Sequence, residues 1–499
     1  MLAVAMVMAM AVPAMAAGAT DADLSSHTFE AYQIFNGDVD DTGKLSNVTW
    51  GANIDSNTIL NDLQSDSTLG TYFADATTVA DVISVISSWS ETDAKTTAFA
   101  RFISAKKTGT ASATSTGTSI TFTKVGYYLI VDTTNVSGAD SANNLSLLKV
   151  SKAETITIRS KVVKPTVDKY VYDNNDGVAT GDNNGWGKTA DHAIGESFQF
   201  KLTANLPASA EKAYDSYEAY KVVFHDTMSK GITFERIASV TVGSTPLTAA
   251  DYTVSDVTTN EDGTQDWTLT IANVKEHVAS LDNGTNIEVI YNAHLNQDAT
   301  VNTASGSTDN ENKVYLEFSN NPNVSGDTGK TPEEDVYVFT YQLNNTKHKD
   351  TEDGDPLEGA GFRLYTDADC ANELKLQQNT DGTYSRYFGE DAGVEMFSDA
   401  EGKFNVKGLD AGTYYLKETS TPTGFNTCPV TTIVISATHT KNNVDLTGSN
   451  TTNNIVNKSG ATLPSTGGIG TTIFYVVGGI LMVGAAVLLI TKKRMENKN

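Results

Sequence analysis

The chain has 499 residues, 39% of them hydrophobic, and its 61 acidic against 35 basic side chains give a net charge of -26 at pH 7. That length accommodates about three domains of roughly 150 residues, each with a packed core. The acidic balance excludes nucleic acid and anionic lipid surfaces as partners, and only two cysteines, Cys370 and Cys428, occur, too few for a cysteine-type zinc cluster.

Residues Met1–Val12 are apolar and Ala14-Met15-Ala16 has the form of a signal-peptidase site, so residues 1–16 read as a secretory signal. Such signals open with positive charge, which is missing, so the expectation is that the chain begins inside a longer signal peptide. Over residues 17–160, Val79, Val82, Ile83, Ile86 and Trp89 recur at helical spacing, as do Ala98, Phe99, Phe102 and Ile103. Ile120-Thr121-Phe122 and Tyr127 to Val131 read as strands around a turn at Lys124-Val125-Gly126, and Leu145 to Ile158 adds more strand. This region is expected to be an α+β domain.

The character changes at Lys161-Val162-Val163-Lys164-Pro165, where the proline disfavours helix in the residue before it. Across residues 161–330 short strands are split by Asn, Asp and Gly turns: Ser197 to Leu202, Tyr220 to Phe224, Trp267 to Ile271 and Ile287 to Tyr291. That spacing predicts a β-sandwich. Asp173-Asn174-Asn175-Asp176-Gly177 lacks the alternating ligands and terminal Glu of a calcium loop and reads as a polar turn. The stretch from Asp173 to Lys188 reads as an insertion. Asn323 to Glu334 is a linker-like boundary.

A third β region, residues 331–458, opens with Val336 to Leu343 and contains Leu357 to Tyr365 and Gly412 to Phe425. Both cysteines fall here, where either a Cys370–Cys428 disulfide or two buried free thiols is compatible with an exported chain; the disulfide is the expectation. Residues 459–499 hold Leu463-Pro464-Ser465-Thr466-Gly467, an apolar run from Ile473 to Ile490, and Lys492-Lys493-Arg494. The run is at the short end of the membrane-spanning range, and the basic tail belongs in the cytoplasm. The seven histidines are scattered without HExxH spacing, and neither GxSxG nor a P-loop occurs. No enzyme, cofactor or metal site is expected. His225 and Asp226 are adjacent, and on a strand only one of them can face a core.

The pentapeptide, the apolar segment and the basic stop, in that order, resemble the cell-wall sorting signal read by sortases in Gram-positive bacteria, with the pattern LPxTG. The resemblance implies cleavage between Thr466 and Gly467 and transfer of the Thr466 carbonyl to an amine. Leu357 to Tyr365 and Gly412 to Phe425 resemble the B-type immunoglobulin-like module of Gram-positive adhesins and pilins. Phe224-His225-Asp226-Thr227-Met228 through Phe234 resembles the companion A-type module, and Tyr32 to Gly37 with Trp50-Gly51 looks like the first domain of backbone pilins. The chain thus resembles sortase-assembled backbone pilins over most of its length. The implied fold is mainly β, with an N-terminal α+β domain, A-type then B-type immunoglobulin-like sandwiches and a C-terminal transmembrane helix.

That family carries Lys–Asn isopeptide bonds made without an enzyme. A lysine amine attacks only when neutral, which its ordinary pKa near 10.4 forbids in water; burial lowers it and raises that of a neighbouring carboxyl. The resemblance assigns Lys347, Glu418 and Asn457 in the third region, with Lys349 as a competing amine. In the second it assigns Lys169, Asp226 and Asn312, with Asn310, Asn320 and Asn321 as rivals. Asp226 and Glu418 promote the reaction in this reading, and no bond is expected in the first region. The amine that receives Thr466 from a neighbouring subunit is expected at Lys161, with Lys164 next. The family's Tyr-Pro-Lys tripeptide is absent here. The implied partners are identical subunits, a sortase and peptidoglycan, on the cell surface. The competing reading is a monomeric wall-anchored adhesin.

Overall fold

The computed structural model describes residues 24–40, 45–90, 93–159, 164–173, 181–182, 185–206, 214–278, 285–307, 310–460 and 469–496. The expected signal segment, Lys161 and the sorting residues Leu463 to Gly467 lie outside the described residues. The chain divides into two compact units, one of residues 1–342, 407–412 and 435–449, the other of residues 343–406, 413–434 and 450–499. Each is described by itself.

In the first unit, residues 24–159 form a sheet in the order Leu45–Trp50, Phe29–Val39, Gly126–Asp132, Ser146–Val150, with helices Ile59–Ser65, Val79–Ile86 and Ala94–Lys106. Thr78 and Asp81 close a reciprocal capping box at the start of Val79–Ile86, and the helix buries Val82, Ile83 and Ile86. All seven residues of Gly126–Asp132 are buried. Tyr127, Leu129 and Val131 pack with the helical Phe73, Phe99 and Ile103, while Tyr128 and Ile130 pack with Ile120 and Phe122. A strand covered on both faces reads as a continuous apolar run, as this one does.

The same unit contains a sandwich of two sheets. One runs Thr245–Pro246, Ile232–Val242, Thr285–Leu295, Ser197–Leu206, Thr166–Tyr172, Trp186–Gly187, Gly181–Asp182; the path of the other is Thr189–Asp191, Glu334–Phe339, Glu311–Ser319, Val222–Met228, Gln265–Ile271, Thr253–Val254. Their inner faces enclose Phe200, Leu202, Phe224, Trp267, Leu269, Val289, Tyr291, Val314 and Leu316. The strand Glu334–Phe339, expected to open the third region, instead pairs with Glu311–Ser319, Asn312 opposite Val336. The reason is burial: Val336 and Val338 belong to this sandwich's core.

The second unit carries the inner strands of another sandwich. Tyr341–Lys349 and Thr452–Asn457 lie side by side and parallel, with Lys347 opposite Ile455. In the other sheet, Gly361–Tyr365 pairs antiparallel with Gly412–Ser420, Phe362 opposite Glu418. A helix, Ile469–Glu496, closes the described chain, and Phe474–Met495 is long and apolar enough to cross a membrane. The fold is therefore mainly β with an apolar C-terminal helix.

Candidate functional site

Strand alternation decides which polar side chains enter the cores. On Thr166–Tyr172 the inward residues are Val167, Lys169 and Val171; on Val222–Met228, Val222, Phe224, Asp226 and Met228; on Glu311–Ser319, Asn312, Val314, Leu316 and Phe318. Each strand thus delivers one polar group inside an otherwise apolar stripe. His225 turns outward, stacks on Tyr315 at 4.4 Å and places Nε2 3.2 Å from Glu317. Asp226 pairs with Val314 and Met228 with Asn312 across antiparallel strands, so Asp226 and Asn312 are same-face neighbours. Lys169 reaches them from the opposing sheet.

The three groups meet with 0%, 1% and 0% of Lys169, Asp226 and Asn312 exposed. Lys169 Nζ donates to Asn312 Oδ1 at 2.7 Å and makes a short contact with Asp226 Oδ2. Its amine sits 5.4 Å from the Phe200 ring centre and 5.6 Å from that of Tyr291. Burial pushes the Lys169 pKa down to about 8 against the pull of Asp226. Burial likewise raises that of Asp226, opposed by Lys169. Both shifts favour the neutral amine beside the neutral acid. The rival Asn310 is spent elsewhere, its side chain accepting from Thr300 N at 2.8 Å and donating to Thr300 O.

In the second unit, Tyr341–Lys349 turns Leu343, Asn345 and Lys347 inward, Thr452–Asn457 turns Asn453, Ile455 and Asn457 inward, and Gly412–Ser420 turns Tyr414, Leu416 and Glu418 inward. Lys347 Nζ donates to Asn457 Oδ1 at 2.6 Å, and Asn457 Nδ2 donates to Glu418 Oε1 at 2.6 Å. Lys347 and Asn457 are wholly buried and Glu418 is 4% exposed. Burial lowers the Lys347 pKa. The competing Lys349 is only partly buried and its backbone N–H bonds Asp355 O. In each trio a lysine amine therefore touches an asparagine amide, with a carboxyl alongside and water excluded.

Comparison with known proteins adds the family. A profile described as Gram-positive pilin backbone subunit 2, Cna-B-like domain, matches residues 194–322. One for a prealbumin-like fold domain matches residues 343–452, and one for the LPXTG cell wall anchor motif matches residues 455–497. The chain thus carries, in order, a Gram-positive pilin backbone domain, a prealbumin-like domain and a cell wall anchor motif, the parts of a backbone pilin. Those parts make it a structural subunit of a cell-wall-anchored surface pilus, and the anchor motif implies sortase-mediated polymerisation of pilin subunits. No match was found among the curated proteins. Among solved structures, the pilin is similar to the T6 backbone pilin of serotype M6 Streptococcus pyogenes (17% identity, 83% of this chain and 79% of that one, TM-score 0.46). It is also similar to the full-length major pilin SpaD of Corynebacterium diphtheriae (17% identity, 87% and 90%, TM-score 0.43) and to a 35 kDa C-terminal fragment of the major pilin GBS80 of Streptococcus agalactiae (19% identity, 59% and 99%, TM-score 0.43).

The disulfide expectation is corrected: Cys370 and Cys428 of the pilin are both free. The reason is position. Cys370 occupies a left-handed turn after Gly361–Tyr365 with φ 52° and contacts Ala368 O, whereas the Cys428 thiol is engaged with Lys347 and Glu418 and its N–H donates to Glu418 Oε2 at 2.7 Å. Burial pushes that thiol up to about 11. Reading the two cysteines as a pair hid Cys428 as a neighbour of the third-region trio.

Sequence reasoning also passed over Tyr291. Its only signal is membership of the inward stripe Ile287, Val289, Tyr291, Ala293, which nothing local separates from ordinary core. Lys164, the alternative acceptor, is exposed, with Nζ 3.1 Å from Asp140 Oδ1. Asp140 Oδ2 also meets His27 Nε2 at 2.9 Å, and His27 Nδ1 lies 2.7 Å from Asp132 Oδ2. Two groups offer cation-ligand atoms within 4.8 Å of one another: Asp173, Asp191 and His439, and His192, Glu196 and Asp410. Burial, then Asp191, pushes the Asp410 pKa up to about 10, so Asp410 holds a proton at neutral pH beside the Asp191 carboxyl of the first group.

Proposed function

We propose that the two trios form isopeptide bonds, Lys169 to Asn312 and Lys347 to Asn457, so that each pilus subunit is covalently braced inside its second domain, the sandwich of the first unit, and its third, the sandwich of the second unit. The carrying observation is the buried contact of Lys169 Nζ with both the Asn312 amide oxygen and Asp226. Contact at 2.7 Å inside a rigid core turns amide attack into an effectively unimolecular step. A protonated acid at the amide stabilises the charge that develops there.

The bonds have a mechanical consequence. Lys169 lies on an early strand of its domain and Asn312 143 residues later on a closing one, and Lys347 and Asn457 are 110 residues apart. A pull along the fibre then meets a covalent tie before the strands can peel. Between subunits, the sortase cleaves after Thr466 and joins its carbonyl to Lys161 of the next subunit, with peptidoglycan taking the last link. The apolar helix Phe474–Met495 holds the substrate at the membrane until then.

The test is intact mass together with peptide mapping of native polymer. Each intramolecular bond removes one ammonia from the chain, and Thr466 is found branched on Lys161. A full unmodified mass refutes the crosslinks, and a Thr466 branch on Lys164 or another lysine refutes the acceptor assignment.

A further inference from the structure

The two trios are wired differently. In the third domain Glu418 Oε1 accepts directly from Asn457 Nδ2 at 2.6 Å. In the second, among the described residues, no hydrogen bond joins the Asp226 carboxyl to the Asn312 amide. An aspartate is one methylene shorter than a glutamate, and a hydroxyl fills the gap. Asn312 Nδ2 donates to Tyr291 Oη at 2.7 Å, and Tyr291 Oη donates to Asp226, 3.1 Å from each carboxyl oxygen. Lys169 Nζ is 3.2 Å from the same Oη. The tyrosine is wholly buried, its ring held by Phe200 at 5.2 Å and Trp267 at 4.9 Å. The amide orientation follows from chemistry: an ammonium only donates, so it selects Oδ1 and leaves Nδ2 for the hydroxyl.

We propose that Tyr291 is a catalytic residue of the Lys169–Asn312 crosslink, its hydroxyl carrying a proton from Asp226 to the Asn312 nitrogen that departs as ammonia. This rests on the bond proposed above. Lys169 first gives a proton to Asp226, leaving a neutral amine and a neutral acid. The Nζ lone pair forms a bond to Asn312 Cγ, and the carbonyl π pair moves to Oδ1. As Cγ becomes tetrahedral, Nδ2 gains a lone pair and turns from donor to acceptor, so the hydrogen-bond chain reverses. Asp226 passes its proton to Oη, and Oη passes its own to Nδ2. The oxyanion restores the carbonyl, the Cγ–Nδ2 bond breaks with its electron pair on nitrogen, and ammonia leaves. The surplus proton on Nζ passes to Asp226, which ends as the neutral acid, so Lys169 has given up two protons, one of which leaves with the ammonia. Burial and the neighbouring Asp226 raise the Tyr291 pKa well above its ordinary value, so the hydroxyl stays protonated and available to relay.

The experiment follows both crosslinks in the full chain during cell-free synthesis, by peptide mapping at timed intervals. Positioned proton transfer contributes about 100-fold or more. Tyr291→Phe is therefore expected to slow the Lys169–Asn312 bond by about that factor while Lys347–Asn457 forms at the wild-type rate in the same molecules. Asp226→Glu placed in the Tyr291→Phe chain supplies the longer acid that reaches Nδ2 directly, as Glu418 does, and is expected to restore the rate. A purely packing role for Tyr291 is not rescued this way. A wild-type rate for Tyr291→Phe, or no recovery in the double variant, overturns the relay. If Tyr291→Phe does not fold, the wild-type chain is compared in light and heavy water. The relay makes the second-domain crosslink the more isotope-sensitive of the two, and equal sensitivity overturns it. A wild-type chain lacking the Lys169–Asn312 crosslink is a separate result, which refutes the bond itself.

Discussion

Replacing Glu418 by glutamine keeps the shape of the third-domain trio and removes the acid. Asn457 Nδ2 then faces an amide 2.6 Å away in place of a carboxyl, and nothing beside it can exchange the proton that amide expulsion requires. Lys347 and Asn457 are expected to remain unjoined. The crosslink spans 110 residues, and closing a loop of that size removes about 4.7 kcal/mol of unfolded-chain entropy. For a domain of this size each kcal/mol moves the melting point by about 4 °C. Glu418→Gln should therefore melt about 15–20 °C lower in the transition assigned to this domain and retain one ammonia more than the wild type. Calorimetry paired with intact mass reads both. A variant that has lost its ammonia and melts within a few degrees of wild type would refute the role of Glu418. One that keeps the ammonia yet melts unchanged would refute the mechanical reading of the bond.

Other outcomes follow from the same geometry. The raised pKa of Asp410, about 10 in the folded pilin, contributes stability that is complete below about pH 4 and is lost as pH rises through the folded value. Asp410→Asn, neutral throughout, should flatten the fall in melting temperature over that window; parallel slopes for the two chains contradict the assignment. With both thiols free, reductant should leave melting unchanged. Cys370 should alkylate well before Cys428, whose thiol is pushed up to about 11; finding no titratable thiol after unfolding restores the disulfide.

Much of the site was legible because β-strands alternate. Lys169 stands between Val167 and Val171, and Glu418 follows Tyr414 and Leu416 at two-residue steps, so each sits where a hydrophobic residue belongs. A charged group on such a stripe is costly unless it is paired, and that cost marks it in a single sequence. Family resemblance supplied the pairing, which alternation alone does not. The α+β character of the first region was likewise readable, since Val82, Ile83 and Ile86 share one helix face.

What the sequence by itself determined is local: strand periods, the helical spacing of the first region, the apolar C-terminal segment and the sorting pentapeptide. Tertiary structure alone decided which sheet each strand joined. Val336 and Val338 looked like the start of a new domain, yet their strand completes the sheet that carries Asn312. It alone put Tyr291 between Asp226 and Asn312, and Cys428 against Lys347 and not Cys370. The physical reason is common to all three. Sheet neighbours and facing sheets are chosen by burial and hydrogen bonding between segments that are tens of residues apart in the chain, and no local period records that choice.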